Sequence, residues 1–424
     1  MQSSRAQELQ AVGGVAASGF AQSAGRIGQI HRAVADRTFR AVGPVGAPVK
    51  LAHDAISTGV YAAVRGIGGG IVRASGTAAA LAQAPDAPSL TESAAGADTL
   101  GALNGAFGDA LERERSPLSV RMTVRRGGRE VPMDVESVAG AFPDARRRVA
   151  VFCHGLCGTE ATWRLGAERH YGDPGVWHGS RLLEDFGYTP VTVRVNTGLH
   201  ISENGRRLSV LLEELCASWP DPIEQIMLVG HSMGGLINRS ACHYAMRAEL
   251  DWVQRVTNVV TLGTPHLGAP LEQGAARLGV ALRWTPESRP LADALAQRSV
   301  GIKDLRFGAL VDEDWKDRDA DAWGPDPCAD IPLLESANHY VIGATVTRDV
   351  RHPLGRVIGD LLVLYPSSSG TSASGRRIAF EVDNSHHLGG LHHMHLLNHP
   401  RVYEQMRTWL RRAPERAPQR LLTA

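Results

Sequence analysis

The sequence predicts an α/β chain: a mostly parallel sheet with helices on both faces, a helical cap insertion and an N-terminal helical extension. Three observations predict it. Apolar runs of strand length at 148–153, 189–195, 226–230, 256–262 and 340–346 alternate with stretches of helical periodicity, which is how a sheet buried on both faces is written. One of these runs ends in Gly230-His231-Ser232-Met233-Gly234-Gly235 and passes straight into Leu236-Ile237-Asn238-Arg239, with no proline to delay the helix. At 424 residues the chain is long enough for one large domain and an appendage.

The charge balance narrows the function classes. A formal net charge of +1 excludes the strong basic field of a nucleic-acid binder. Only Lys50, Lys303 and Lys316 among the 45 basic residues are lysines, and with the many alanines this suggests a GC-rich bacterial genome. The five cysteines (Cys153, Cys157, Cys216, Cys242 and Cys328) include no Cys-x-x-Cys pair and read as buried free thiols in a reducing compartment. No basic start leads into an apolar segment near Met1, and no uncharged apolar stretch reaches about 18 residues. The expected location is cytoplasmic, with peripheral contact at a membrane as an option.

Residues 1–115 read as a helical extension and linker. Residues 1–73 hold eight basic and three acidic side chains, and Ile27, Ile30, Val34, Phe39 and Val42, then Leu51, Ile56, Val60, Val64 and Ile67, recur at helical spacing. Breaks are expected at Gly43-Pro44 and Gly46-Ala47-Pro48. This extension is either packed on the main domain or a basic amphipathic surface that rests on anionic lipid or covers the active-site mouth. Residues 82–98, with Pro85 and Pro88, read as a linker. The main domain is expected over 116–412 and a C-terminal tail over 413–424.

In order, strands are expected at 118–124, near 131–138, at 148–153 and at 189–195, followed by a helix over 205–218. The 226–230 strand leads to a helix over 233–248 and a strand over 256–262. Alternation then stops, and 266–338 reads as a cap or lid with Trp284, Trp315 and Trp323. Strands return at 340–346 and 377–382 before a last helix over 401–411.

The chemistry centres on Ser232. A serine wedged between strand and helix must adopt unfavourable backbone angles, and Gly230 and Gly234 remove the Cβ atoms that would crowd it. A serine hydroxyl needs a base, and the base an orienting acid. Asp360, in Gly359-Asp360-Leu361-Leu362-Val363, is the candidate acid and Asp349 the rival; thirteen residues lie between Val346 and Asp360, a long excursion for an acid loop. The base must come from 386–399, where six of the 17 histidines fall within fourteen positions. Such density also raises a zinc or nickel site, but no His-Glu-x-x-His pattern is present and Asp383 is the only acidic neighbour. No metal and no cofactor is expected.

Phe152-Cys153-His154-Gly155-Leu156, the Gly230–Gly235 turn and Leu262-Gly263-Thr264-Pro265-His266-Leu267-Gly268 together resemble an α/β-hydrolase of the bacterial lipase/esterase branch, similar to hydrolases related to GPI inositol-deacylases. The resemblance covers residues 118–412. It implies Ser232 as nucleophile, Asp360 as acid, and His393 as base in a His-x-x-Leu-Leu segment, with His392 one residue away as the fallback. It also implies an oxyanion hole from the amides of Leu156 and Met233, with His154 and His266 structural. The expected activity is cleavage of carboxylic esters, of lipid or acyl type, through an acyl-enzyme. Acyl transfer by the same triad, or a non-catalytic partner-binding role, are the alternatives. The expected partners are ester substrates and a lipid surface, not nucleic acid.

Overall fold

The alternating runs form one eight-stranded sheet. The computed structural model describes residues 4–42, 69–82, 89–269, 289–320, 326–371 and 376–412, with isolated positions within 47–66 and 272–286 and at 324. The strands are β1 (Thr123–Arg126), β2 (Arg129–Val131), β3 (Arg148–Cys153), β4 (Tyr188–Arg194), β5 (Gln225–His231), β6 (Val256–Leu262), β7 (Asn338–Thr345) and β8 (Ser385–Gly389). Their order across the sheet is β2-β1-β4-β3-β5-β6-β7-β8. Strands β3 to β8 run parallel, while β1 is antiparallel to both β2 and β4.

Helices cover both faces, which is why the central strands are apolar throughout rather than alternating. Along β3, Val149, Val151 and Cys153 face one core while Ala150 and Phe152 face the other. The first core is completed by Leu208, Leu212 and Leu215 of the Ile201–Ser218 helix and by Leu236 and Ile237 of the Met233–Arg247 helix. The second packs Trp163 and Leu182 with Val402, Tyr403, Met406 and Trp409 of the Pro400–Arg412 helix.

The N-terminal region is helical. The Arg5–Val42 and Gly69–Leu81 helices lie so close that a Cβ on Gly13 would stand 2.7 Å from the Gly76 Cα. Among the described residues no helix is long and apolar enough to cross a membrane. The expected breaks at Gly43-Pro44 and Gly46-Ala47-Pro48, most of the 51–67 pattern, Trp284, Trp323 and the 413–424 tail lie outside the described residues.

Several boundaries differ from the sequence reading. Residues 94–98 are not linker: Ser93 caps a helix, Ala94–Arg113, by accepting from Gly96 N at 3.3 Å. Residues 118–122 alternate like a strand but pair with no strand. The buried Asn104 side chain donates to Leu118 O (2.7 Å) and accepts from Val120 N (2.9 Å), standing in for a neighbouring backbone. Near 131–138 the chain turns helical, because Asp134 accepts from Ser137 N at 2.8 Å and starts Val135–Ala141. The 377–382 run folds back on itself, Phe380 N donating to Ile378 O, and the last strand is the polar Ser385–Gly389. The reading of buried thiols holds for Cys153 and Cys242 but fails for Cys157, which is exposed.

A buried ion pair joins the N-terminal region to the sheet. Arg194, at the end of β4, is 2% exposed; its Nε donates to Glu160 Oε2 at 2.6 Å and its Nη1 to Thr91 O at 2.6 Å. Next to Thr91, Leu90 N and Ser89 Oγ donate to the buried Glu8 carboxylate. Burial alone pushes the Glu160 carboxyl up, but hydrogen bonding and charge from Arg194 outweigh it and leave the group below its ordinary value. A depressed carboxyl contributes stability that is present above the unfolded-state value and is lost as pH falls through the folded one. Arg194→Met should therefore cost about 3–5 kcal/mol in urea unfolding at neutral pH. That loss should shrink as pH falls below the carboxylate range; a pH-independent loss would mean that packing, not the pair, carries it.

Candidate active site

The site is built at the carboxyl end of β5, where the chain reverses into the Met233–Arg247 helix within one residue. Ser232 sits at the apex with φ 54° and ψ −125°, a region that side chains avoid. A Cβ at Gly230 would meet the Gly235 backbone at 2.5 Å, and one at Gly234 the Cys153 carbonyl oxygen at 2.1 Å. Ser232 N donates to Leu262 O at 2.9 Å, fixing the turn to the end of β6.

Asp360 and His393 are locked together beside it. Asp360 is 1% exposed, and its Oδ1 accepts from Leu362 N (3.0 Å) and Val363 N (2.8 Å), a carboxylate-stabilised turn. Its Oδ2 lies 2.8 Å from His393 Nδ1, while His393 N donates to Asp360 O at 2.9 Å. Nδ1 is thereby the protonated nitrogen, so Nε2 carries the lone pair. Nε2 is buried and has no hydrogen-bond partner among the described residues.

His231 packs its ring 4.6 Å from that of His393 and reaches the His393 carbonyl oxygen through Nε2 at 3.3 Å. Burial drives the His231 imidazole well below its ordinary value, so it stays neutral.

The loop expected to hold the oxyanion, residues 154–158, follows β3. Gly155 touches the serine: a Cβ there would fall 2.8 Å from Ser232 Cβ. His154 is fully buried, its Nε2 accepting from Val195 N (3.0 Å) and its Nδ1 donating to Gly155 O (2.9 Å). Burial lowers its proton affinity, in keeping with a neutral structural ring. His266 is likewise buried and neutral, driven well below the usual value chiefly by burial and next by Arg239. Met233 opens the helix, and its amide is one of the free donors of the first turn.

Ser232, His393 and Leu156 share a cavity of about 590 Å³. Its other walls are largely apolar, with Pro265, Ala269, Ile302, Leu305, Leu362 and Val363, and one side carries the Glu272–Arg298 ion pair. Asp349 stands apart on an exposed turn, accepting from Arg351 N at 2.8 Å. His392 turns away and stacks on His395, ring centroids 3.5 Å apart.

Sequence reading missed what lies behind the 154–158 loop. Helix Ala94–Arg113 presses Gly101 and Gly105 against it and Gly108 against Asn196: a Cβ on Gly105 would stand 2.9 Å from Cys157 N, and one on Gly101 2.8 Å from Gly158 O. The signal was there, as glycines at i, i+4 and i+7 in an otherwise helical stretch mark a close approach. The cavity residues Ile302 and Leu305 carry no such local signal.

Residues 144–292 match the family described as "Putative serine esterase (DUF676)". A stretch of 99 residues is 30% identical to a GPI inositol-deacylase of Emericella nidulans, covering 23% of this chain but 8% of that protein's length. A Bacillus licheniformis lipase in mature form has 18% identity and a TM-score of 0.39, over 62% of this chain and 91% of the other. A Staphylococcus hyicus lipase has 16% identity and a TM-score of 0.33, over 63% and 94%. The sheet order, the serine turn and the run of Ser, Asp and His along the chain make the fold an α/β-hydrolase fold.

The strain at Ser232 is measurable. Ser232→Gly should be more stable than Ser232→Ala by about 1 kcal/mol in chemical denaturation, since only glycine accepts φ 54° with ψ −125° freely. Equal stabilities would mean that the surrounding packing, not the backbone angle, sets the cost of the turn.

Proposed function

We propose that this chain is a serine hydrolase that cleaves carboxylic esters of apolar acyl groups through an acyl-enzyme on Ser232. The observation that carries the reading is the buried His393–Asp360 contact of 2.8 Å, with Nε2 of the same ring unpartnered in the cavity that holds Ser232. Apo sites often lack the serine–histidine hydrogen bond until substrate closes it.

In this reading Ser232 Oγ attacks the ester carbonyl while His393 Nε2 takes its proton. Asp360 holds the ring and stabilises the imidazolium. The amides of Leu156 and Met233 receive the oxyanion, each contributing about 3 kcal/mol. His393 then protonates the departing alcohol, and water, activated by the same nitrogen, releases the acid.

The apolar walls favour acyl over polar substituents, and 266–338 serves as the cap that shapes them. The loop and helix bearing the acid expose Leu354, Val357, Leu361 and Leu362, with Met394 beside the base. Such a rim suits an aggregated or membrane-borne ester. Contact of the N-terminal helices with lipid is a further part of the reading, supported by exposed Phe20, Ile27, Ile71 and Leu81.

Ser232→Ala should abolish p-nitrophenyl ester turnover and fluorophosphonate labelling while circular dichroism stays unchanged; retained turnover overturns the reading. Asp360→Asn should lower kcat on the order of 10⁴-fold. His393→Ala should be as severe, and His392→Ala should leave turnover within about threefold, because its ring stacks on His395 while His393 holds the acid. In a chain-length series, kcat/KM should rise by roughly three- to fourfold per methylene until the cavity is filled. A flat series would argue against the apolar pocket.

A further inference from the structure

A second cavity, of about 450 Å³, lies between the Met233–Arg247 helix and the segments 329–333 and 376–379. It shares no lining residue with the cavity at Ser232. Leu310, Ile331, Leu333 and Ile378 give it apolar walls.

Arg239, 7% exposed, reaches into it from the helix that begins after Ser232. Its Nη2 donates to Ile331 O at 3.0 Å and its Nη1 lies 3.4 Å from His266 Nδ1. Neither contact supplies negative charge, because His266 is neutral. Among the described residues no carboxylate lies within ion-pair distance of Arg239. Burial, with Arg376 nearby, lowers its guanidinium to about 10, so it remains charged at neutral pH.

The other charges around the cavity are already balanced. Arg376 donates to Asp326 through Nη1 at 3.1 Å, and through Nη2 to the carbonyl oxygens of His266 and Phe307. Asp330 and Arg377, both exposed, add one charge of each sign to the lining. One buried positive charge is left over, on a planar fork that matches a carboxylate in shape. A buried cation without a counter-ion is costly, and an apolar wall around it selects the kind of anion that relieves the cost.

We propose that this cavity binds a monoanionic carboxylate with a short apolar tail, the carboxylate on Arg239 and the tail along Leu310, Ile331, Leu333 and Ile378. The single uncompensated charge favours a carboxylate over a phosphate dianion, and the walls favour a hydrocarbon over a polar metabolite. The site stands whether or not Ser232 is catalytic. If it is, the acids it releases belong to the class this cavity takes.

The test is calorimetric titration of the full chain with sodium octanoate, octanol and inorganic phosphate, repeated on Arg239→Met and Leu333→Glu. Octanoate should saturate a site whose affinity falls on the order of tenfold or more in both variants. Octanol and phosphate should give no saturable binding that Leu333→Glu abolishes, a criterion that sets aside uptake by the cavity at Ser232. Octanoate binding unchanged in the variants, or no octanoate binding, overturns the proposal. Octanol binding that Leu333→Glu abolishes removes the role of Arg239, and phosphate binding without octanoate removes that of the tail; either overturns it. Circular dichroism checks folding. Should Arg239→Met not fold, Leu333→Glu on the cavity wall decides alone.

Discussion

The whole site depends on how little room the chain has where β5 ends. In the sheet, Gly230 is in register with Cys153 on one side and Thr261 on the other, so three strands finish almost side by side. The helix that follows must start between them. A Cβ at Gly234 would overlap the Cys153 carbonyl, and one at Gly235 would stand 2.1 Å from Thr264 Oγ1. The positions of Ser232, of the 154–158 loop and of His393 are therefore inherited from sheet register. The strained angles of Ser232 persist because the surrounding backbone leaves no alternative.

What could be read from sequence followed from local demand. The apolar runs of β3, β5, β6 and β7 have strand length and little alternation, as burial on both faces requires. The serine turn announces itself through glycines. Where reading failed, a side chain had taken the place of strand pairing. Asn104 satisfies Leu118 and Val120 in place of a strand, and Asp134 ends strand pairing by capping a helix. The long approach to Asp360 is taken up by helix Pro353–Ile358, whose first turn His352 caps by accepting from Leu354 N. Ile302 and Leu305 are brought to the cavity only by the tertiary fold, and nothing in their sequence neighbourhood points there.

The histidine-rich segment shows the same division. Composition alone offers six equivalent candidates. Folding gives each a different neighbour: His387 meets Thr345 Oγ1 at 2.9 Å, His386 lies edge-on to Trp409, and His392 and His395 stack on each other. Only His393 faces a carboxylate, one that lies 33 residues earlier. That pairing depends on the Asp360 turn and the 3-10 segment His393–Leu397 converging beyond β7 and β8, a long-range event. The motif resemblance named His393 because it carried a three-dimensional arrangement that residue spacing alone does not.

The glycine face of helix Ala94–Arg113 changes what counts as the body of the molecule. Composition shifts near residue 115, and a truncation series would naturally begin there. Yet a Cβ on Gly108 would fall 1.9 Å from Asn196 Oδ1, and Cys157 N is itself held by Thr197 Oγ1 at 3.1 Å, so helix, 154–158 loop and the end of β4 form one wall. Cutting after the helix would strip the backing from that wall while leaving every motif residue in place. The smallest unit that keeps the loop in shape starts upstream of Ser93, and shortened versions of the chain are best designed from there.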